Sequence, residues 1–177
     1  HMERAWLANL SHPLPWAGGW GEGTTNMTND IPEGFKPLKR GGGYLTSLGP
    51  WYYRIDASKG GERGQMVLAI RVEDRHTNIR HIAHGGFLVS MFDTALGIVV
   101  SSSKEPPQPI VTVSLTTNFV SGAEPGDWVE AHVDLDRMGG RLAYASCTLV
   151  CGERVIMTGT GVFALMKPAV PKERTDG

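Results

Sequence analysis

The sequence predicts an α+β domain in which a curved antiparallel sheet wraps one long apolar helix. Residues 86–101 are expected to form the helix, because this apolar stretch is longer than a usual strand and carries one charged residue, Asp93. Six segments of strand-like composition surround it, two before and four after. One helix cannot cover so many strands unless the sheet curls around it, and an enclosed helix is expected to be apolar on almost every side.

The predicted elements follow one another in the order two strands, one helix, four strands. The first pair consists of WYYRID and QMVLAIRV, joined by the turn-like SKGGERG. After the helix come IVTVSLTTNF, DWVEAHVDLDRM, RLAYASCTLVC and RVIMTGTGVFALM. Gly139-Gly140 and Gly152-Glu153 are hairpin joints, so we expect these last four strands to form an antiparallel meander.

Three regions are predicted along the 177 residues. Residues 1–49 form an extension rich in Gly, Pro, Asn and Thr, and we expect mostly irregular structure there. Its apolar residues could attach it to the domain, or it could be a lid or a dimer arm: Trp6, Leu7, Leu10, Trp16 and Trp20. Residues 50–167 form the domain, and residues 168–177 form a flexible tail.

Charge and cysteine content exclude several classes of protein. The formal net charge of -1 gives no argument for binding to nucleic acid or to a membrane surface. No apolar run reaches the roughly 18 residues that a membrane span needs. Cys147 and Cys151 lie four residues apart in one predicted strand, too far apart for a disulfide bond. We therefore expect a soluble protein of a reducing compartment, the cytoplasm.

Small and polar residues of the predicted helix lie on one stripe. At 3.6 residues per turn, Gly86, Ser90, Asp93, Gly97 and Ser101 follow one another at steps of three and four. Such a stripe allows a ligand or another backbone to approach closely. It is also compatible with a helix packed tightly on a sheet with a half-exposed Asp93.

The start of the helix has the composition of an oxyanion hole. The first N–H groups of a helix have no intrahelical partner and lie at the positive end of its dipole. Gly85 and Gly86 have no side chains, so a ligand oxygen can reach these groups. His84 could assist there or act as a capping or core histidine, and Asn78 could hold a turn.

The distance along the helix predicts a site shared by two chains. Gly86 and Asp93 are seven residues apart, which is roughly 10 Å of helix rise. The tilt of the Asp93 side chain toward the N-terminus recovers only about 2–3 Å of that distance. One carbonyl cannot contact both groups of one chain, since each contact needs about 3 Å. Two helices related by a two-fold axis could bring Asp93 of one chain to the Gly-Gly start of the other.

Several motifs together resemble the hotdog-fold acyl-CoA thioesterase superfamily. They are Asn78, the stretch HIAHGG, Asp93 nine residues after His84, the pattern F-x-x-x-A-x-x-G-D at residues 119–127, and GRLAYASCTLV. The phenylacetyl-CoA thioesterase-like branch is the most similar, over roughly residues 50–166. The resemblance implies a hotdog fold with about five to six strands. It also implies an acyl-CoA substrate, no cofactor apart from the coenzyme A of that substrate, and dimers that often pair into tetramers.

The resemblance also implies roles for individual residues. Asp93 would be the general base or the nucleophile, and a Gly85 or Gly86 N–H would bind the thioester oxygen. Asn78 and His84 would position the carbonyl or the water. Thr112 occupies the strand position at which the family often carries Ser or Thr near the acid.

Other contacts to the substrate are predicted from the residues themselves. Ser90 lies in the stripe beside Asp93. Arg141, with Arg137, flanks a hairpin turn and could bind coenzyme A phosphates, although a solvated hairpin explains both arginines as well.

Three alternatives fit the residues less well. The spacing H-x4-H-x2-H at His76, His81 and His84 could hold a metal, but no fitting Cys or carboxylate accompanies it, and we expect no metal. A hydratase or dehydratase acting on 3-hydroxyacyl thioesters uses motifs that this chain lacks. A non-catalytic acyl-CoA-binding protein would tolerate Asp93→Asn, whereas a hydrolase would not.

Overall fold

The computed structural model describes residues 30–39 and 41–167. The predicted tail and the apolar residues of the extension before residue 30 lie outside the described residues. Two helices are present in the described ranges, α1 (Gly42–Leu48) and α2 (Gly85–Ser102), with short 3-10 turns at Gly61–Arg63 and Asp74–His76. The strands are β1 (Lys36–Pro37), β2 (Tyr52–Asp56), β3 (Gln65–Arg71), β4 (Ile110–Phe119), β5 (Trp128–Met138), β6 (Leu142–Cys151) and β7 (Arg154–Leu165).

The strands form one antiparallel sheet in the order β1-β2-β3-β5-β6-β7-β4. Helix α2 packs against every strand from β3 to β7, so the sheet curves around it. The predicted helix and its six flanking strands are confirmed, and the two-residue β1 is an additional strand. The core lies between α2 and the inner face of the sheet, where Met91, Phe92 and Leu96 are fully buried.

One face of α2 is left uncovered by the sheet. Gly86 is exposed, and Ser90, Asp93 and Gly97 are only partly buried. Asp93 is therefore a half-buried residue at the border of the core. By length and hydropathy this helix would qualify as a membrane span, contrary to our expectation from the sequence. Its packing inside the sheet accounts for its apolar composition.

The predicted four-strand meander is wrong for β4. Strands β5, β6 and β7 are consecutive neighbours, but β4 pairs with β7 at one end of the sheet, and β5 pairs with β3. Residues 120–127 lead from the edge strand β4 past β7 and β6 to β5 in the middle of the sheet. Val120 donates to Ile156 O at their start, and Gly126 donates to Val72 O at their end. No two-residue turn forces β4 and β5 together, so the core contacts decide the order.

Part of the predicted irregular extension has regular structure. Helix α1 lies within residues 1–49, and β1 pairs with β2. The expectation of irregular structure is therefore wrong for these residues. Leu45 is the residue that explains α1, because its side chain is buried in the same core cluster as Trp51 and Phe87.

Candidate active site

Asp93 is held by a side chain of the neighbouring edge strand. Thr112 Oγ1 donates a hydrogen bond of 2.8 Å to Asp93 Oδ1. Thr112 lies beside a bulge, because it pairs with Phe163 whereas Ser114 pairs with Val162. The structure thus brings together two predicted site residues that are distant in sequence. Asp93 Oδ2 has no protein partner among the described residues and remains available to a substrate or a water molecule.

The Gly-Gly helix start has one occupied and one open N–H group. His84 is the N-cap of α2, and its Nδ1 accepts a 2.9 Å hydrogen bond from Gly86 N–H. The capping alternative for His84 is therefore realised. In the described part of the chain, the N–H of Gly85 has no partner, so of the two predicted oxyanion donors Gly85 is the available one.

A groove of about 330 Å³ lies beside Gly85. Its wall includes Asn78, Leu88 and the Phe119 ring, whose nearest carbon would lie 3.2 Å from a Cβ at Gly85. Asn78 Oδ1 accepts from Arg80 N–H at 2.8 Å, so the side chain does hold a turn. The amide nitrogen of Asn78 is left to donate to a ligand.

Ser90 connects α2 with the short helix α1. Its hydroxyl donates to Gly86 O at 2.8 Å, and Tyr44 OH lies 2.7 Å from the Ser90 hydroxyl oxygen. Because the Ser90 proton is used by Gly86 O, Tyr44 is the donor in the second bond. No sequence pattern selects Tyr44, which follows three glycines in a segment expected to be irregular.

Arg141 lies at the same end of the sheet as Thr112. Arg141 O accepts from Leu165 N–H, and Leu165 pairs with Ile110 of β4. Two strand spacings, about 10 Å, separate the backbone of Arg141 from β4. Arg141 is exposed and contributes to no ion pair among the described residues.

The predicted site residues therefore form two groups at different heights along α2. Asn78, His84 and Gly85 surround the helix start, whereas Asp93 and Thr112 lie two turns further along. The roughly 10 Å of helix rise between Gly86 and Asp93 persists, because α2 is continuous from residue 85 to residue 102. One small group such as a thioester carbonyl cannot contact both groups within one chain.

His76 has a structural role that excludes it as a metal ligand. Its Nδ1 accepts from Glu73 N–H at 2.9 Å and its Nε2 donates to Leu48 O at 2.8 Å, so both ring nitrogens are occupied. The ring stacks on Phe87 at 4.2 Å. Loss of solvent around it lowers the pKa of His76. Within the described ranges, no group of three His, Cys, Asp or Glu side chains is arranged to hold a metal ion.

The cysteines are free thiols of the sheet. Cys147 is buried, and this burial raises the pKa of its thiol to about 12. Cys151 is partly buried, and burial again raises the pKa of its thiol. The reactive form of cysteine is the thiolate, and a raised pKa keeps both side chains in the less reactive thiol form.

Comparisons of the sequence identify relatives over the domain. Residues 81–158 match the family model described as "Thioesterase superfamily". A Pseudomonas aeruginosa protein named "Putative esterase PA0474" is 43% identical over 136 residues, which are 77% of this chain and 98% of that protein.

Comparisons of the structure identify the same architecture. The TT0310 protein of Thermus thermophilus superposes with a TM-score of 0.60 at 24% identity over 70% of this chain and 97% of that one. The E. coli PaaI protein from the phenylacetic acid degradation operon has a TM-score of 0.55 at 20% identity over 59% and 75%. A Streptococcus pneumoniae hypothetical thioesterase solved with coenzyme A has a TM-score of 0.54 at 20% identity over 57% and 80%. The predicted hotdog fold is confirmed.

Proposed function

This chain belongs to the thioesterase superfamily, and we propose that it hydrolyses the thioester of an acyl-CoA to a free acid and a thiol. The observation that carries the proposal is the hydrogen bond between Thr112 and Asp93 on the uncovered face of α2. It fixes one carboxylate oxygen and leaves the other free to act on a water molecule. The relative named as an esterase and the structural neighbour solved with coenzyme A support the same chemistry.

In the proposed reaction a water molecule attacks the thioester carbonyl carbon. Asp93 accepts a proton from that water as a general base, and the Gly85 N–H donates to the developing oxyanion. The carbon–sulfur bond then breaks, and the proton passes to the leaving thiolate. Asn78 and His84 orient the carbonyl or the water from the rim of the groove. Direct attack by Asp93, giving an anhydride that water then hydrolyses, uses the same residues.

A second copy of the chain completes the site in this proposal. The outer edge of β4 carries no other strand of the described chain, and Val111 and Val113 on it are more than half exposed. Long apolar edge strands of soluble proteins are normally paired or protected. Pairing of β4 with its two-fold copy would also cover the open face of α2. Asp93 of one protomer would then face the Gly85 N–H of its partner, and such dimers could pair again into tetramers.

Coenzyme A is the proposed carrier because of the charge near the rim of the site. Arg141 is free to bind a phosphate about 10 Å from β4, a distance that the extended arm of coenzyme A can span. Two free thiols fit a reducing compartment, and we propose the cytoplasm.

Hydrolysis of a panel of aliphatic and aromatic acyl-CoAs, followed with a thiol reagent, tests the proposal. The wild-type protein is expected to release thiol from at least one member. Asp93→Asn keeps the size of the side chain but removes the base, so kcat should fall by roughly a hundredfold or more.

The melting temperature of Asp93→Asn serves as the control. It should match or exceed that of the wild type, because a half-buried charge is replaced by an amide that still accepts from Thr112. A wild-type protein without hydrolytic activity on the panel, or a fully active Asp93→Asn variant, would contradict the assignment.

A further inference from the structure

The pattern F-x-x-x-A-x-x-G-D at residues 119–127 lies beside the start of α2 and contains none of the proposed catalytic residues. It covers the end of β4 and the connection from β4 to β5. The first four residues of the pattern line the groove beside Gly85: Phe119, Val120, Ser121 and Gly122. The connection therefore forms one wall of the candidate active site.

Ala123 joins this connection to the residues that precede Gly85. It is fully buried, and its carbonyl oxygen accepts a 2.7 Å hydrogen bond from Ala83 N–H. The next amide is held by another segment, because His84 N–H donates to His76 O at 2.7 Å. The two backbone amides immediately before Gly85 are thus fixed from two separate parts of the chain. Their bonds determine the position from which the Gly85 N–H is presented.

One ion pair fastens the chain on both sides of Ala123. The two terminal nitrogens of the Arg154 guanidinium donate to Gly122 O and, at 2.6 Å, to Asp127 Oδ2. Asp127 Oδ2 also accepts from Glu124 N–H at 2.8 Å. Gly122 and Glu124 are the direct neighbours of Ala123, so the position of the Ala123 carbonyl depends on the pair of Arg154 and Asp127.

The far end of the connection is held by backbone bonds that do not involve Arg154. Gly126 has a φ of +95°, a left-handed conformation that favours glycine. Its N–H donates to Val72 O at 2.8 Å, and Val72 N–H donates to Asp127 O at 2.9 Å. Removal of the Arg154 guanidinium leaves these bonds available. We therefore expect such a variant to fold and to loosen mainly around Ala123.

We propose that Arg154 and Asp127 are positioning residues that hold the Gly85 N–H in place for the thioester carbonyl. They act through the bond from Ala83 N–H to Ala123 O and do not contact the reacting atoms. This inference rests on the proposed function, because it assigns the Gly85 N–H to the oxyanion. The oxyanion develops only during the reaction, so a displaced donor lowers kcat more than it raises KM.

Steady-state kinetics of Arg154→Met, on the acyl-CoA that the wild type hydrolyses fastest, test this role. Methionine keeps a long side chain without the guanidinium, and we expect kcat to fall by about tenfold with KM within about twofold of the wild type. Arg154→Lys offers one nitrogen in place of two, so its kcat should fall by only about threefold. Arg63→Met is the matched control, because Arg63 is an exposed arginine paired with Glu105 at 2.8 Å, and it should keep the wild-type kcat.

Amide exchange of Ala83, measured by NMR, tests the same role without any substrate. The Ala83 amide should exchange about tenfold faster in Arg154→Met, about threefold faster in Arg154→Lys and at the wild-type rate in Arg63→Met. Melting temperatures set the assay temperature well below unfolding of every variant, so a lower kcat does not reflect lost protein. If Arg154→Met does not fold, the Arg154→Lys variant decides by the same two measurements.

The two measurements separate this inference from the proposed function. Wild-type Ala83 exchange in the folded Arg154 variants would overturn the inference, whether or not the protein hydrolyses thioesters. Wild-type kcat in those variants would also overturn it, because the Gly85 N–H would then not depend on Arg154 during turnover. A wild-type protein that hydrolyses no acyl-CoA, while Ala83 exchange follows the expected order, would contradict the proposed function alone.

Discussion

Thr112 on the edge strand β4 and Asp93 on the central helix are joined by a 2.8 Å hydrogen bond, although 19 residues separate them in sequence. The bond restrains a carboxylate that would otherwise rotate on an open helix face. It also assigns different tasks to the two oxygens, since Oδ1 accepts from Thr112 and Oδ2 points to no protein donor in the described part of the chain. A general base needs this kind of fixed, partly unsatisfied carboxylate.

The first prediction concerns this hydrogen bond. Thr112→Val has nearly the same shape but no hydroxyl, and we expect kcat to fall by about tenfold, the usual scale for one hydrogen bond to a charged group. Thr112→Ser retains the donor and should recover most of the activity. Measuring kcat and KM for all three proteins checks the expectation, and equal kcat values for the Val and Ser variants would show that the bond has no role in turnover.

The second prediction separates the two possible roles of His84. His84→Ala removes the N-cap of α2 and should lower the free energy of unfolding by about 1 kcal/mol. His84→Ser retains a capping oxygen, so stability should return. We expect kcat to stay reduced by roughly tenfold in the Ser variant, because the imidazole no longer orients the carbonyl or the water. Wild-type turnover by a stable His84→Ser protein would leave His84 with a capping role only.

Much of the architecture could be predicted because local composition and tertiary packing agree. The stretch around Phe92 is too long and too apolar for a strand, and it forms α2 with bounds within one residue of those expected. The strands before and after it in sequence could be predicted because their composition also agrees with their packing. The position of β4 could not be predicted, because the connection from Phe119 to Trp128 lacks a tight turn, and only the packing of whole strands on α2 determines its neighbour.

The site was predictable at the level of residue type but not of contacts. Asp93 inside an apolar run breaks a local rule, and such conflicts mark functional positions. Glycine is common at the start of a helix, so Gly85 gained meaning only together with Asp93. That His84 caps Gly86 and leaves Gly85 open depends on one side-chain rotamer, which no sequence pattern encodes. Tyr44 was missed because α1 is stabilised by contacts with Trp51 and His76 rather than by its own glycine-rich sequence.

The third prediction concerns Arg141 and the carrier of the acyl group. If Arg141 binds a coenzyme A phosphate, Arg141→Ala should raise KM for an acyl-CoA by about fivefold, more strongly at low salt. The matching acyl-N-acetylcysteamine thioester has no phosphate, so its KM should not change. Arg63→Ala serves as the control, because Arg63 is another exposed arginine and its guanidinium is already paired with Glu105. Equal effects of Arg141→Ala on both substrates would contradict phosphate binding.

The fourth prediction concerns His76 and the dependence of stability on pH. Burial lowers the pKa of His76 in the folded state below its ordinary value of 6.5. Above pH 6.5 the ring is neutral in both states, and below it the unfolded state takes up a proton that the folded state resists. Stability is therefore lost on acidification from about pH 6.5 downward. Hydrogen bonds lower the pKa values of Glu130 and Asp56 below their ordinary values of 4.5 and 3.8, so their contributions are lost only at lower pH.

Melting temperatures at about pH 8.5, 7.5 and 5.5 check this expectation. The wild type should change little between the first two values and fall at the third, whereas His76→Gln should be less stable at every pH but fall less on acidification. Acidification should also loosen α1. Protonation of His76 Nδ1 would break its bond from Glu73 N–H and disturb the ring that donates to Leu48 O. Parallel pH profiles of the two proteins would contradict the role of His76.

The fifth prediction tests whether two chains share each site. Asp93→Asn lacks the base, and Gly85→Val places a branched side chain in the groove where the carbonyl must approach, so each variant alone should be inactive. In a heterodimer with composite sites, one site carries both defects and the other carries none. Unfolding the two variants together and refolding them at equal amounts gives about half heterodimers, so about a quarter of wild-type activity should return. If each chain held a complete site, every site in the mixture would keep one defect. Heterodimers proven by mass spectrometry but without activity would therefore exclude the shared site, and with it the explanation of how Asp93 reaches a carbonyl bound roughly 10 Å along the helix.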